Sequence, residues 1–248
     1  TIFSMGVSTI SLGLGLGGGK AATSSGSPGG GGAFSNEYSV EFDGTDDYVD
    51  IPHDSSLDTA GSMSFSVWIY ADDVSGYKTI LAKRANTNFD WQFAITGSKF
   101  QFYDGGAGSS LDSATSPNAS QWYHIVFSVD YGVTNGTKIY INGSSDAQGT
   151  FSPNSELAPM RIGDNSKNRF FNGKIDEVSW FHSALSASDV TAIYNSGTPT
   201  DLTSYSPVGW WRMGDNDGGT GTTITDQGSG GNDGTLTNGP TYSTTVPS

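Results

Sequence analysis

The residues best suited to chemistry in this chain are its acids. Asp176 and Glu177 stand side by side. Two carboxyl groups can attack a glycosidic bond as acid and nucleophile when they lie about 5 Å apart. Neighbours on a strand point to opposite faces, so this pair is expected not to form such a couple. His53, His124 and His182 are the only histidines, and no Ser lies in a G-x-S-x-G elbow, so a hydrolytic triad has no support. His124 falls on a regular strand pattern and reads as a packing residue. Gly13-x-Gly15-x-x-Gly18 has the form of a dinucleotide fingerprint. It lacks the preceding strand, the following helix and a suitably spaced acid, and reads as low complexity. The chain has no Cys, which excludes disulfides, zinc-thiolate sites and thiol catalysis.

Any site must be carried by the elements that composition allows. The chain has 248 residues, 35 Gly, 34% hydrophobic residues and 12% aromatics. Few aliphatics, many aromatics and abundant Gly, Ser and Thr favour strands joined by tight turns. The formal charge of −14, with Lys and Arg scattered, argues against a nucleic-acid partner. No apolar run is long enough to span a bilayer as a helix.

Residues 1–36 hold 11 Gly and a single charge, Lys20. They lack the basic n-region of a secretory signal, and Thr1 fits removal of an initiator Met. A free tail of this composition cannot offset its ordering entropy. The expectation is therefore an anchoring arm held by neighbouring chains in an assembly. The acidic balance belongs to the rest: residues 37–248 carry 10 basic and 25 acidic groups.

Met63, Phe65, Val67 and Ile69 alternate with Ser64, Ser66, Trp68 and Tyr70, a period of two. Ile125, Phe127 and Val129 repeat the pattern. Gly97-Ser98 and Asn142-Gly143 mark tight hairpin turns. Ser186 and Asp189 open a short helix with Val190, Ile193 and Tyr194 on one stripe, and Gly197 is expected to stop it. Many short strands at regular spacing predict an all-β antiparallel sandwich. Residues 199–206 read as a linker, and 207–248 as a second Gly-rich block anchored by Trp210, Trp211 and Met213.

Five segments resemble laminin-G-like domains of the concanavalin A-like lectin/glucanase superfamily. They are Val40-Glu41-Phe42-Asp43-Gly44, Ser64-Phe65-Ser66-Val67-Trp68, Gln121-Trp122-Tyr123-His124, Tyr140-Ile141-Asn142-Gly143 and Phe171-Asn172-Gly173-Lys174-Ile175-Asp176-Glu177-Val178. They occur in family order over residues 37–198. Trp211-Arg212-Met213-Gly214-Asp215 and the run Asp226 to Leu236 resemble a segment that normally precedes the first of these strands. Here it follows the helix. It is expected either to close its own sandwich or to complete a neighbouring subunit's.

The resemblance implies a jelly-roll sandwich and two uses. Glucanases of the superfamily carry three carboxylates along one strand, but no E-x-D-x-x-E pattern exists here, so enzyme activity is not expected. Family members often hold a structural Ca²⁺ in acidic loops, which supply its six to eight oxygen ligands. Asp43, Asp176, Asp226 and Asn232 are the positions this points to. The other use is glycan binding by exposed rings, for which Tyr77, Trp91, Tyr103 and Tyr131 lie in or near predicted loops. Trp68, Trp122 and Trp180 read as core or sheet-face packing. Arm plus module resembles bacteriophage virion appendage proteins. The expected role is a homo-oligomeric particle component docked through residues 1–36 and displaying its sandwich to host glycans. The alternative is a secreted or cell-surface bacterial carbohydrate-binding module or adhesin.

Overall fold

The structure is a computed structural model, and it describes residues 34–58, 61–84, 89–152 and 157–248. The expected anchoring arm lies outside these residues except at 34–36. The described chain forms two antiparallel sheets around an aromatic core.

The first sheet contains β1 (Ser39–Asp43), β3 (Met63–Ala71), β8 (Trp122–Val129), β9 (Thr137–Ile141), β10 (Ser144–Gly149), β12 (Asn172–Phe181), β13 (Gly209–Trp211) and β16 (Thr241–Ser243). Its order is β10-β9-β8-β3-β12-β1-β16, with β13 also paired to β12. The second sheet contains β2 (Tyr48–Ile51), β4 (Tyr77–Arg84), β5 (Phe89–Thr96), β6 (Lys99–Asp104), β7 (Ser109–Asp112), β11 (Met160–Ile162), β14 (Thr223–Ile224) and β15 (Gly234–Thr237). Its order is β14-β15-β2-β11-β4-β5-β6-β7. Strands from the C-terminal block thus complete both sheets of the chain that carries them.

Alternation sorts each strand into two faces. Phe65, Val67 and Ile69 of β3 and Ile125 and Phe127 of β8 point inward and are fully buried. Aromatic pairs supply what the few aliphatics do not. Phe102 stacks on Phe127 at 3.7 Å, and Trp91 on Trp180 at 5.3 Å. Trp91, expected near a loop, therefore lies within β5 in the middle of this core. It shares the inward face with Phe93 and Ile95, and no sugar can reach its ring.

Both predicted hairpin turns form. Gly97 and Ser98 have φ of 56° and 61°, and Asn142 and Gly143 have 49° and 78°. Two consecutive positive φ values match the right-handed twist of the flanking strands. The helix α1 (Ala187–Tyr194) starts at a capping box between Ser186 and Asp189. It stops at Asn195, which takes the left-handed conformation at φ 45°, two residues before the expected Gly197. Asn tolerates that conformation because its short amide bonds locally. Val190 and Ile193 pack on the outer face of the first sheet with Val126, Tyr140, Phe181 and Trp210. Leu202 joins them, so the stretch read as a linker is fastened beneath the helix.

Gly173, near the start of the inner strand β12, has φ 132°, and a Cβ there would sit 2.1 Å from the Tyr70 carbonyl oxygen. Both backbone strain and a main-chain clash oppose any side chain. Gly173→Ala is expected to lower unfolding free energy by about 3 kcal/mol or more, read from denaturant midpoints. A loss below about 1 kcal/mol would show that β12 shifts freely.

Candidate functional site

The outer face of the second sheet carries a polar network built on strand register. Tyr103 of β6 pairs with Gln92 of β5, Gln92 with Ala82 of β4, Ala82 with Arg161 of β11, and Arg161 with Asp50 of β2. Paired residues share a face, so these side chains form one row across five strands. Residues 163–171 fold back over the row. Gly163 N–H donates to the Ile80 carbonyl at 2.9 Å, and Thr79 N–H to the Arg169 carbonyl at 2.9 Å.

Side chains lock this arrangement. The Gln92 carboxamide is buried; its oxygen accepts from Asn165 Nδ2 at 2.7 Å, and its nitrogen donates to the Tyr77 hydroxyl. Arg161 donates from Nε to Asp50 at 3.1 Å and from Nη1 to Asp164 at 2.9 Å, while lying 4.2 Å over the Tyr48 ring. Arg169 lies 3.9 Å over the ring of Tyr77. Burial raises the pKa of the Tyr77 phenol, with the nearby Arg169 charge opposing the shift. Arg84 is pushed below the usual arginine range, first by burial and then by the like charge of Arg169. Three of the chain's four arginines thus meet three tyrosines on one face.

The structure therefore brings Tyr77 and Tyr103 together. Tyr131 lies apart, 50% exposed in the turn between β8 and β9 of the other sheet. Sequence reading missed Gln92, Arg161, Asp164, Asn165 and Arg169. The available signal was the polar Arg161 between two apolar residues in β11, followed by Gly163-Asp164-Asn165.

The four residues expected to hold Ca²⁺ do not converge. Asp43 groups with Asp46 and Asp47, while Asp176 groups with Glu177 and Asp215. Asp226 accepts from the backbone N–H of Trp210, Gly228 and Asn232, each at 2.7 Å. The side chain of Asn232 donates to Ser56 Oγ at 2.8 Å. These contacts match turn and strand closure, and the four residues share no single cluster.

Asp176 and Glu177 also depart from expectation. Glu177 has φ 45°, and the β12–β3 register shifts between Asp176 and Ser179. This bulge breaks the alternation, so both acids reach one cluster within 4.8 Å of Asp215. The cluster is sealed. Glu177 accepts from Trp210 Nε1 at 2.6 Å and Arg212 Nε at 2.9 Å, and Asp176 from Asn36 Nδ2 at 2.9 Å. Phe34 stacks on Trp210 at 6.4 Å beneath the Arg212 guanidinium, and Asp215 accepts from Glu37 N–H at 2.7 Å. Ser66 and His124 are hydrogen-bonded at 2.8 Å but fully buried, with burial pulling the imidazole down to about 3.

Residues 43–191 match the laminin-G-like model of the concanavalin A-like lectin/glucanase superfamily. The chain belongs to that superfamily. A candidate carbohydrate-binding protein of Bacteroides ovatus is similar over 86% of this chain, with a TM-score of 0.67 and 17% identity. This chain spans 62% of that protein's length. The fourth domain of an extracellular GH43 arabinanase from Geobacillus stearothermophilus, solved with arabinotriose, is similar over 63% of this chain and 76% of its own. Its TM-score is 0.53 at 24% identity. A heptameric SAP-like pentraxin of Limulus polyphemus gives 0.52 at 12% identity over 64% of this chain and 82% of its own. Comparison with curated proteins gives no match.

Burial holds the carboxyl groups of Asp176, Glu177 and Asp215 above their ordinary values, Glu177 at about 7 against 4.5. A folded state that keeps its proton longer loses stability as pH rises through that interval. Wild type is therefore expected to lose stability relative to Glu177→Gln as pH rises from 4.5 to about 7, and to level off above. Paired denaturant titrations check this; a difference that grows in the opposite sense would refute it.

Proposed function

We propose that this chain is a non-catalytic carbohydrate-binding module whose ligand lies on the outer face of the second sheet. The observation that carries this reading is the pairing of Tyr77 and Tyr103 around the fixed Gln92 amide. Sugar recognition needs a flat ring to stack on and rigid polar groups to order the hydroxyls; the half-buried Tyr103 ring offers the first and the exposed Arg169, stacked on Tyr77, the second, while the buried Gln92 amide fixes Tyr77 and the covering loop beneath them. The fold's similarity to an arabinanase domain solved with arabinotriose supports the reading. So does the state of the alternatives. Asp176, Glu177 and the Ser66–His124 pair are buried, Asp215 is half-buried, and all are occupied by protein partners, which fits binding without turnover.

Within this reading, residues 1–36 attach the module to a larger homo-oligomeric assembly, as in a virion appendage or a cell-surface adhesin. The support is local. Phe34 to Tyr38 are tied to Trp210, Arg212, Asp176 and Asp215, so tension on the segment reaches the sandwich directly. Copies held together in this way would bind a repeating glycan by avidity.

Glycan-array screening of the intact chain tests the reading. Binding is expected, and Tyr103→Ala should weaken it about tenfold through loss of ring stacking. Unchanged binding by this variant, at unchanged melting temperature, would place the ligand elsewhere.

A further inference from the structure

We infer that a pocket on the outer face of the first sheet, at the entry to α1, binds a small zwitterion, one molecule carrying a carboxylate and an ammonium group. The site is separate from the proposed glycan face and does not rest on it. The pocket has a volume of about 280 Å³ and lies between β8, β9 and residues 184–187. Ligand pockets run from about 300 to 1,000 Å³, so this one suits a small molecule. Strand register orders its floor. Val126 of β8 pairs with Tyr140 of β9, and Ser128 with Lys138. Asp130 continues the same face one step further, where its N–H donates to the Gly136 carbonyl at 3.0 Å. Successive rows on one face of a strand lie about 7 Å apart. Tyr140, Lys138 and Asp130 therefore follow one another from the inner end, beside α1, to the open end.

The polar groups on this floor are not used by the protein. Tyr140 is 2% exposed and sits in one cluster with Leu185, Val190 and Ile193. Its hydroxyl makes no hydrogen bond among the described residues, although a buried polar group left unpaired costs stability. Burial raises the pKa of this phenol, so it keeps its proton and can donate. The Lys138 side chain makes no hydrogen bond or ion pair among the described residues. The Asp130 carboxylate accepts only from Ser62 Oγ, at 3.5 Å. Lys138 and Asp130 are the only charged residues lining the pocket. The wall at α1 is already engaged. Ser128 Oγ donates to the Leu185 carbonyl at 3.2 Å, and Ser186 and Asp189 are tied to each other in the capping box.

This order of groups selects a ligand. A carboxylate between Lys138 and Tyr140 would accept from the ammonium and the phenol. An ammonium about one row away would meet Asp130. A lone anion would be repelled by Asp130, and a lone cation by Lys138. A molecule with both charges at that spacing matches both residues.

The test is an amide NMR titration of the intact chain with δ-aminovalerate, valerate and pentylamine. The first carries both charges on one short chain, and the others carry one each. δ-Aminovalerate is expected to shift β8, β9 and residues 184–187, with a Kd at least about tenfold below that of either single-charge compound. Lys138→Met removes the charge and keeps the stem, and Tyr140→Phe removes only the hydroxyl. Each should weaken δ-aminovalerate about tenfold. Asp130→Asn should bring δ-aminovalerate to the affinity of valerate without weakening valerate itself. Equal affinity for valerate and δ-aminovalerate would overturn the zwitterion assignment, as would losses below about twofold in all three variants. No shifts around the pocket with δ-aminovalerate would overturn the site.

Discussion

A buried amide must have both of its ends satisfied, and the proposed binding face depends on how Gln92 meets that demand. Its oxygen takes the Asn165 amide and its nitrogen takes the Tyr77 hydroxyl. Leaving either end unmade would cost about 1 to 3 kcal/mol. The covering loop at 163–171 and the Tyr77 ring are therefore fixed by one side chain. Arg169 rests on that ring, and Arg161 holds the same loop through Asp164. The face is held in place by the protein itself, so a ligand binding there would cost little conformational freedom.

The opposite sheet shows the same logic turned to a different end. At β12 a bulge drives Asp176 and Glu177 to one side, where Arg212 and Trp210 meet them. Paired acids in a lectin/glucanase fold invite a catalytic reading. Their surroundings favour a structural one, because Phe34, Ser35 and Asn36 lie across them and Arg212 is shared among three partners. The cluster fastens the chain's entry into the sandwich. Part of the outer face of this sheet is occupied by α1, as part of the other sheet's is by residues 163–171.

Much of the fold was legible in local patterns. Period-two alternation in Met63–Ile69 reports a strand with one apolar face, although both of its faces are buried, and Asn142-Gly143 encodes its own turn. The Ser186 cap needs only residues three apart. The site was less legible because its contacts are not local: Gln92 and Asn165 lie 73 residues apart and meet through β4 and β11. Tyr77 and Tyr103 stood out as aromatics beside turn signals. Trp91 stood out for the same reason, although it shares parity with Phe93 and Ile95 and so belongs inside. The Glu177 bulge left no trace in residue type, since a positive φ at Glu is not signalled by composition. That the four expected ion ligands lie apart was hidden for a related reason. Asp226 sits in an acidic Gly-rich loop, but its oxygens are occupied by the backbone of that loop.

The central claim is that ligand binds the Tyr77–Gln92–Tyr103–Arg169 face. Its most direct test is an amide NMR titration of the intact chain with an oligosaccharide that binds it on the glycan array. The account predicts shifts confined to β4, β5, β6 and residues 163–171. Shifts centred on α1 or the turn bearing Tyr131 would contradict it.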